Sequence, residues 1–419
     1  MILRKNLYGD PAAGRTFSKQ RDAEINKKFN ENGWTCTRTR SDPCLFVVTR
    51  TLTERGSKTT RAWMLVHVDD CDIVAEGDEM AEDMMEVFRG IFKITVVDPS
   101  FMLGVRRRLH YDKDDKVESC ECDMIAFVEG MHQCFKEHMP KKIPTDPVPP
   151  KLFLSKADDV SEEESAAVIK AGFQAAVGML LWAVRHCHPL GKTGVSMMCR
   201  VMAKLSWRAF NAAMQMICYL YHNRTEGIKF SATGNRTPIG FVDASNKPDL
   251  LDDGICQYGS TFIWMGGPIC EVSKKLRQVG LSSEHNEYMA MYYAHQQLVW
   301  IRQLIMEMGL GDMIERPTVM FADNTAANTL SKEDVVTHGN QYVALAYHFN
   351  KEVQEQGVST VHYIKTDDNI SDLMSKCVDV AARKRLQGAL SGYDVRLIRR
   401  IELQVRDIYD KWDQDRRDV

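Results

Sequence analysis

The sequence has no CxxC pair, no apolar run long enough to cross a bilayer and almost no net charge. Each absence excludes something. Twelve Cys are scattered through 419 residues. Their one cluster, Cys120-Glu121-Cys122 with His132 and Cys134, lacks the ligand spacing of structural zinc, so reduced intracellular thiols are the favoured reading. No stretch approaches the ~20 apolar residues of a membrane span. Met1-Ile2-Leu3-Arg4-Lys5 is not followed by the apolar run of a signal peptide. The expectation is an intracellular protein, cytoplasmic or nuclear, with no membrane contact. Lys and Arg number 54 against 57 Asp and Glu, a net charge of −3, so any nucleic-acid-binding surface must be local.

What is present is an ordinary globular composition, 44% apolar and 26% charged, on a chain long enough for two or three domains. A helical pattern through Phe17, Ile25 and Phe29 follows the turn Leu7-Tyr8-Gly9-Asp10-Pro11. The chain opens on that turn with no element before it, which suggests a missing upstream part. Two apolar runs, Ala62 to Val66 and Ile73 to Ala75, flank Asp69-Asp70 and read as a β-hairpin with carboxylates at its tip. Such a pair is either a plain Asp turn or hard oxygen ligands for Mg²⁺. Glu79 to Phe92 is amphipathic, with Met80, Met84, Val87, Phe88 and Ile91 inward. Phe101 to Val105 reads as a strand running into Arg106-Arg107-Arg108, which suits either phosphate contact or a solvated strand edge.

Five of the 13 prolines fall between Pro140 and Pro150, a boundary no regular element can cross. Ser161-Glu162-Glu163-Glu164 then caps a helix. Further helices are expected over Phe173–Ala183, Ser196–Lys204 and Trp207–Tyr221, with the chain helical to about Phe230. From Asn235 the pattern changes to strands at Pro238–Ser245, Gln257–Trp264 and Ile269–Ser273. A long helix capped by Ser282 or Ser283 follows, with Met291, Ala294, Leu298, Ile301 and Ile305 inward. A strand at Pro317–Ala322, a helix near 341–356, a strand at Thr360–Ile364 and a helix opened by Asn369-Ile370-Ser371-Asp372 complete an α/β layer with a mixed sheet. The charged segment after Gly392 reads as a solvated helical tail.

Four carboxylates stand out in that layer. Asp243 lies in its first strand, Glu287 on the inward face of its long helix or at that helix's solvent edge, Asp323 at the end of its fourth strand and Asp372 at the start of its last helix. If the first and fourth strands pair in parallel, all four fall at one sheet edge, where they could not stay ionised without cations. Two Mg²⁺ ions roughly 3.5–4 Å apart would satisfy them and suit phosphodiester hydrolysis.

Asp243-Ala244-Ser245, Ser273-Lys274-Lys275, Leu281-Ser282-Ser283-Glu284-His285-Asn286-Glu287, Phe321-Ala322-Asp323-Asn324 and Ser371-Asp372-Leu373-Met374-Ser375-Lys376 occur in order. Together they resemble the ribonuclease H domain of copia-type retrotransposon Pol polyproteins. Upstream, Leu7-Tyr8-Gly9, Ser41-Asp42-Pro43-Cys44-Leu45-Phe46, His67-Val68-Asp69-Asp70 and Phe101-Met102-Leu103-Gly104 resemble the reverse transcriptase of the same elements. Val177-Gly178-Met179-Leu180-Leu181-Trp182 resembles the segment between the two.

The resemblance implies a multidomain chain of α/β and α+β class. Residues 1–150 would be N-terminally truncated reverse-transcriptase fingers and palm, and 151–234 a helical thumb or connection. Residues 235–392 would be a ribonuclease H-like domain with a mixed five-stranded sheet, and 393–419 the charged tail. Asp243, Glu287, Asp323 and Asp372 would hold Mg²⁺, with Mn²⁺ as the alternative, and hydrolyse the RNA strand of an RNA–DNA hybrid. Asp69 and Asp70 would be the remnant of a polymerase site, and Lys274, Lys275, Arg106 and Arg107 would contact nucleic acid. Three departures stand against polymerase activity. The resemblance implies a further metal-binding Asp on a strand upstream of residue 1, and that strand is absent. The pattern Tyr-x-Asp-Asp reads His67-Val68-Asp69-Asp70, and Lys-His-Ile-Asp reads Gln341-Tyr342-Val343-Ala344. The alternative function is an inactive retroelement remnant that only binds nucleic acid.

Overall fold

The computed structural model describes residues 13–52, 58–150, 152–155, 159–245, 254–277, 279–280, 282–331 and 344–417. The motifs at Leu7-Tyr8-Gly9 and Gln341-Tyr342-Val343 lie outside the described residues. The chain divides into two compact units, Met1–Met102 with Trp300–Met313, and Leu103–Val299 with Ile314–Val419. The division falls at Met102, not near residue 150 where the prolines cluster.

In the first unit, α1 (Ala13–Glu31) precedes β1 (Thr35–Arg38), β2 (Leu45–Leu52), β3 (Lys58–His67) and β4 (Asp70–Ala75), then α2 (Asp78–Arg89) and the short β5 (Phe101–Met102). Strands β1 to β4 form an antiparallel sheet in sequence order. Alternate residues Ala62, Met64 and Val66 of β3 are buried, and Met80, Met84 and Phe88 of α2 join them in one core with Ile25 and Phe29 of α1. Phe17, read as part of the same apolar pattern, is exposed. The expected hairpin is present. His67 pairs with Asp70, leaving Val68 and Asp69 as a two-residue turn. Val68 has φ 54°, a strained conformation for a β-branched residue, and Arg21 Nη1 donates to its carbonyl at 2.8 Å.

The second unit opens with the antiparallel pair β6 (Val105–Tyr111) and β7 (Val117–Asp123). Helices α3 (Ile125–Cys134), α4 (Glu162–Lys170), α5 (Phe173–His186), α6 (Lys192–Arg200) and α7 (Trp207–His222) follow, and then β8 (Ile228–Ser231). Apolar faces of α3, α5, α6 and α7 form one core. Ser161 caps α4 as expected, its Oγ accepting from Glu164 N at 3.1 Å. Two expectations need correction. The third helix runs Lys192–Arg200 rather than Ser196–Lys204, because Pro189 opens a 3₁₀ turn that leads straight into it. Ile228–Ser231 is a strand, not a helix end, since it finds an open partner in β7, with Cys120 opposite Phe230 and Cys122 opposite Ile228. The proline-rich segment is likewise tied down. Arg383 Nε donates to Asp146 Oδ1 at 2.6 Å, with both side chains buried.

The rest of the unit is β9 (Ile239–Ala244), β10 (Gln257–Trp264), β11 (Gly267–Lys275), α8 (Ser283–Glu307, whose residues from Trp300 on are counted with the first unit), β12 (Thr318–Ala322), α9 (Thr325–Leu330), α10 (Ala344–Glu355), β13 (Ser359–Tyr363), α11 (Asp372–Ser375), α12 (Val380–Ser391) and α13 (Val395–Asp415). The sheet is five-stranded and mixed, in the order β11-β10-β9-β12-β13. Strands β9 to β11 are antiparallel, whereas β12 runs parallel to both β9 and β13. The sequence reading missed α9, which begins at once because Asn324 caps it through Ala327 N at 3.0 Å. The reading of α13 as a solvated tail was wrong. Leu397, Ile398, Ile401, Val405 and Tyr409 recur at helical spacing and are buried with Phe241, Val319 and Phe321 of the sheet. The charges lie on the opposite face.

On the helix side, His295 of α8 is fully buried. Its Nδ1 lies 2.8 Å from Asn350 Oδ1 of α10, and its Nε2 lies 2.8 Å from Ser359 Oγ of β13. Burial pushes the imidazole down to about 4, so it is neutral and donates through one nitrogen while accepting at the other. We expect His295→Leu to destabilise the protein by about 2–3 kcal/mol in urea unfolding, because two buried partners lose their hydrogen bonds. A loss below about 0.5 kcal/mol would show that the three groups do not act as a staple.

Candidate active site

Parallel pairing of β9 with β12 sets the ends of two buried strands together. Asp243 stands one residue from the end of β9 and is 2% exposed. Asp323 follows the last residue of β12 and is half-buried. Glu287 lies in the first turns of α8, whose start is fixed by Ser282 Oγ accepting from His285 N at 3.1 Å. Its side chain is buried, and Oε2 accepts from the backbone N–H of Ala244 at 3.1 Å. Asp372 is the first residue of α11 and is also buried.

The short helix α11 reaches the strand ends because three features bring it there. Asn369 Nδ2 donates to the Val242 carbonyl at 2.9 Å. Thr193 Oγ1 of α6 donates to the Leu373 carbonyl at 2.6 Å. Gly259 of β10 lies under the helix, where a Cβ would come within 2.5 Å of Met374 Cβ and 2.7 Å of Ser375 N. Only a residue without a side chain permits that approach.

The result is a buried acidic triad. Asp243, Asp323 and Asp372 each offer a carboxylate oxygen, and the three oxygens lie within 4.8 Å of one another. Glu287 stands outside this triad by distance and is joined to it by charge. Burial, and then the neighbouring Asp243 and Asp323, push Glu287 up to about 10. Burial and then Asp372 push Asp243 up to about 7. Burial also raises Asp372. The donor set is entirely hard oxygen, which suits a divalent cation. The pocket already accepts a positive charge, since Lys376 Nζ lies 3.0 Å from Asp372 Oδ1 and 3.5 Å from Asp243 Oδ2. The Ser375 hydroxyl also donates to Asp243 Oδ2.

The other expected site residues are dispersed. Asp69 and Asp70 are exposed at the hairpin tip, and among the described residues no third acidic, His or Cys side chain joins them. Lys274 is exposed and Lys275 half-buried at the end of the edge strand β11. Arg106 is not a free cation. Its guanidinium meets the buried Asp123 at 3.1 Å, as does that of Arg108. Arg107 stands on β6 opposite Cys122. Sequence reasoning passed over Asn369, Gly259, Ser375 and Lys376. For Lys376 a signal was there, because it stands four residues after Asp372, just past the end of α11.

No protein-family profile matches the chain. The retrovirus-related Pol polyprotein from transposon TNT 1-94 of Nicotiana tabacum is 24% identical over 380 residues, which is 90% of this chain and 27% of that protein. This chain is a homologue of transposon Pol polyproteins. A second such relative, from transposon RE2 of Arabidopsis thaliana, is 29% identical over 167 residues, 40% of this chain and 11% of its own length. The chain thus spans about a quarter of the tobacco Pol polyprotein. Among solved structures, an N-terminal RNase H domain from Mycobacterium tuberculosis aligns with 11% identity and a TM-score of 0.25, over 36% of this chain and 95% of that one.

The raised carboxyl groups of this Pol homologue have a consequence for stability. Between about 4 and 7 the folded chain holds a proton on Asp243 that the unfolded chain has released, so raising the pH through this window removes stability. We expect the stability of Asp243→Asn relative to the wild type to increase as the pH rises from 4 to 7, measured by urea unfolding in EDTA. A pH-independent difference would show that Asp243 is not buried among like charges.

Proposed function

We propose that the acidic pocket is a ribonuclease H-type centre that hydrolyses the RNA strand of an RNA–DNA hybrid with Mg²⁺ or Mn²⁺. One observation carries this reading: three carboxylates from segments up to 129 residues apart converge within 4.8 Å in a buried pocket. The chain's homology to transposon Pol polyproteins, and the resemblance of its motifs, in order, to the ribonuclease H part of such proteins, support the substrate class. Under this reading Asp243, Asp323 and Asp372 hold the metal, and Glu287 is the fourth ligand once a cation draws off its proton.

A bound divalent metal supplies acidified water and charge neutralisation at the phosphate. The chain's own residues supply the placement. Ala244 N–H orients Glu287, Ser375 orients Asp243, and the burial of Asp243, Glu287 and Asp372 keeps bulk water from those ligands. Hydrolysis joins a water oxygen to phosphorus and breaks the bond to the ribose O3′, leaving a 5′-phosphate and a 3′-hydroxyl. An RNA–DNA hybrid would be held through its backbone and 2′-hydroxyls, with the exposed Lys274 and the half-buried Lys275 as cations of the same sheet. The reading gives the hairpin tip no polymerase role. His67 stands there in place of the tyrosine of the pattern, and two carboxylates adjoin without a third among the described residues.

The test is incubation of the full chain with an end-labelled hybrid and Mg²⁺. We expect the RNA strand to be cut, with the rate reduced on the order of a hundredfold or more in Asp243→Asn and in Asp323→Asn. Salt-sensitive binding of the hybrid without product would make the chain a non-catalytic binder and would refute the reading.

A further inference from the structure

We propose that Lys376 is a built-in counter-cation of the acidic pocket, which competes with divalent metal for Asp243 and Asp372 and so sets how tightly metal is held. This inference rests on the reading of Asp243, Asp323 and Asp372 as a metal site. The geometry carries it. The Lys376 ammonium bridges the two most buried carboxylates of the triad, at 3.0 Å from Asp372 Oδ1 and 3.5 Å from Asp243 Oδ2. A cation held through those oxygens and an ammonium held on them exclude one another by charge and by space. The ion pairs of the lysine are with Asp243 and Asp372, so the competition falls first on their oxygens.

Two further features mark the lysine as a mobile counter-ion rather than a fixed strut. Its side chain is 40% exposed, whereas those of Asp243 and Asp372 are 3% and 9% exposed. The lysine side chain therefore has an open path to solvent, whereas its two partners are enclosed. Lys376 is also the residue at which α11 ends, its backbone already extended, so its movement breaks no helical hydrogen bond beyond that of its own N–H to Asp372 O. The Ser375 hydroxyl donates to the same Asp243 oxygen, Oδ2, that the ammonium approaches. The lysine thus holds like charges together while the pocket lacks metal, and yields when metal arrives. The two partly exposed ion pairs it gives up set the penalty on metal binding.

The experiment is a titration of MgCl₂ into the full chain by calorimetry, with thermal unfolding in EDTA and in saturating Mg²⁺ as an independent reading. Wild type, Lys376→Gln, Lys376→Arg and Asp323→Asn are compared. Lys376→Gln is expected to bind Mg²⁺ about tenfold more tightly, since the competing ion pairs are gone. Its Tm falls below the wild type's in EDTA, and the gap closes in Mg²⁺. Lys376→Arg keeps the competing charge and stays within about threefold of the wild type. Unchanged or weaker Mg²⁺ binding by Lys376→Gln, or a Tm gap equal in EDTA and Mg²⁺, overturns the inference and leaves the metal site standing. Mg²⁺ binding that Asp323→Asn does not diminish overturns the metal site and the inference with it.

Discussion

Like charges in a buried pocket repel, and the architecture of the second unit is arranged against that repulsion. Asp243 and Asp323 are brought together by the parallel pairing of β9 and β12, which also places Phe241 and Phe321 in ring contact on the sheet face below. The apolar stack under the strand ends therefore stabilises what the carboxylates above it oppose. Asp372 is then drawn in by Asn369 and Thr193, and Gly259 removes the steric obstacle. Only after these contacts are made is there a concentrated negative charge, met by one lysine and one serine. A pocket that is costly without a cation and built by so many separate contacts is a selective place for one.

The first unit offers a useful contrast. Its paired carboxylates sit on an exposed turn, where water screens them and no neighbour is required. What is unusual there is the backbone. Val68 occupies a left-handed conformation, and the buried Arg21 holds its carbonyl in place. Order at that tip comes from the main chain, whereas order in the acidic pocket comes from side chains. Arg106 and Arg108 show a third solution. They close over the single buried Asp123 and neutralise it locally, so the basic run that looked available for phosphates is partly committed within the sheet.

Much of this was legible in the sequence, for identifiable reasons. Carboxylates at the ends of apolar strands are rare enough to be noticed, and the 3.6-residue spacing from Glu287 through Met291, Ala294 and Leu298 announced both the helix and its buried face. What failed to show was tertiary. Ile228–Ser231 is too short to declare itself a strand until β7 is beside it. In α13 the charged residues outnumber the apolar ones, which hid a complete inward stripe from Leu397 to Tyr409. Lys376 was in view as part of a motif, but nothing in a linear pattern says that its ammonium turns back onto Asp243, 133 positions upstream.

The order of strands in the mixed sheet bears on how the chain leaves the ribosome. Strand β12 emerges before β13, and its five residues are buried and mostly apolar. Until Ser359–Tyr363 has been synthesised, one side of β12 presents unpaired amides and carbonyls to any other extended chain. A nascent or prematurely terminated product in that window is a template for intermolecular pairing, so chaperone demand and inclusion-body formation should peak for chains that stop between these two strands.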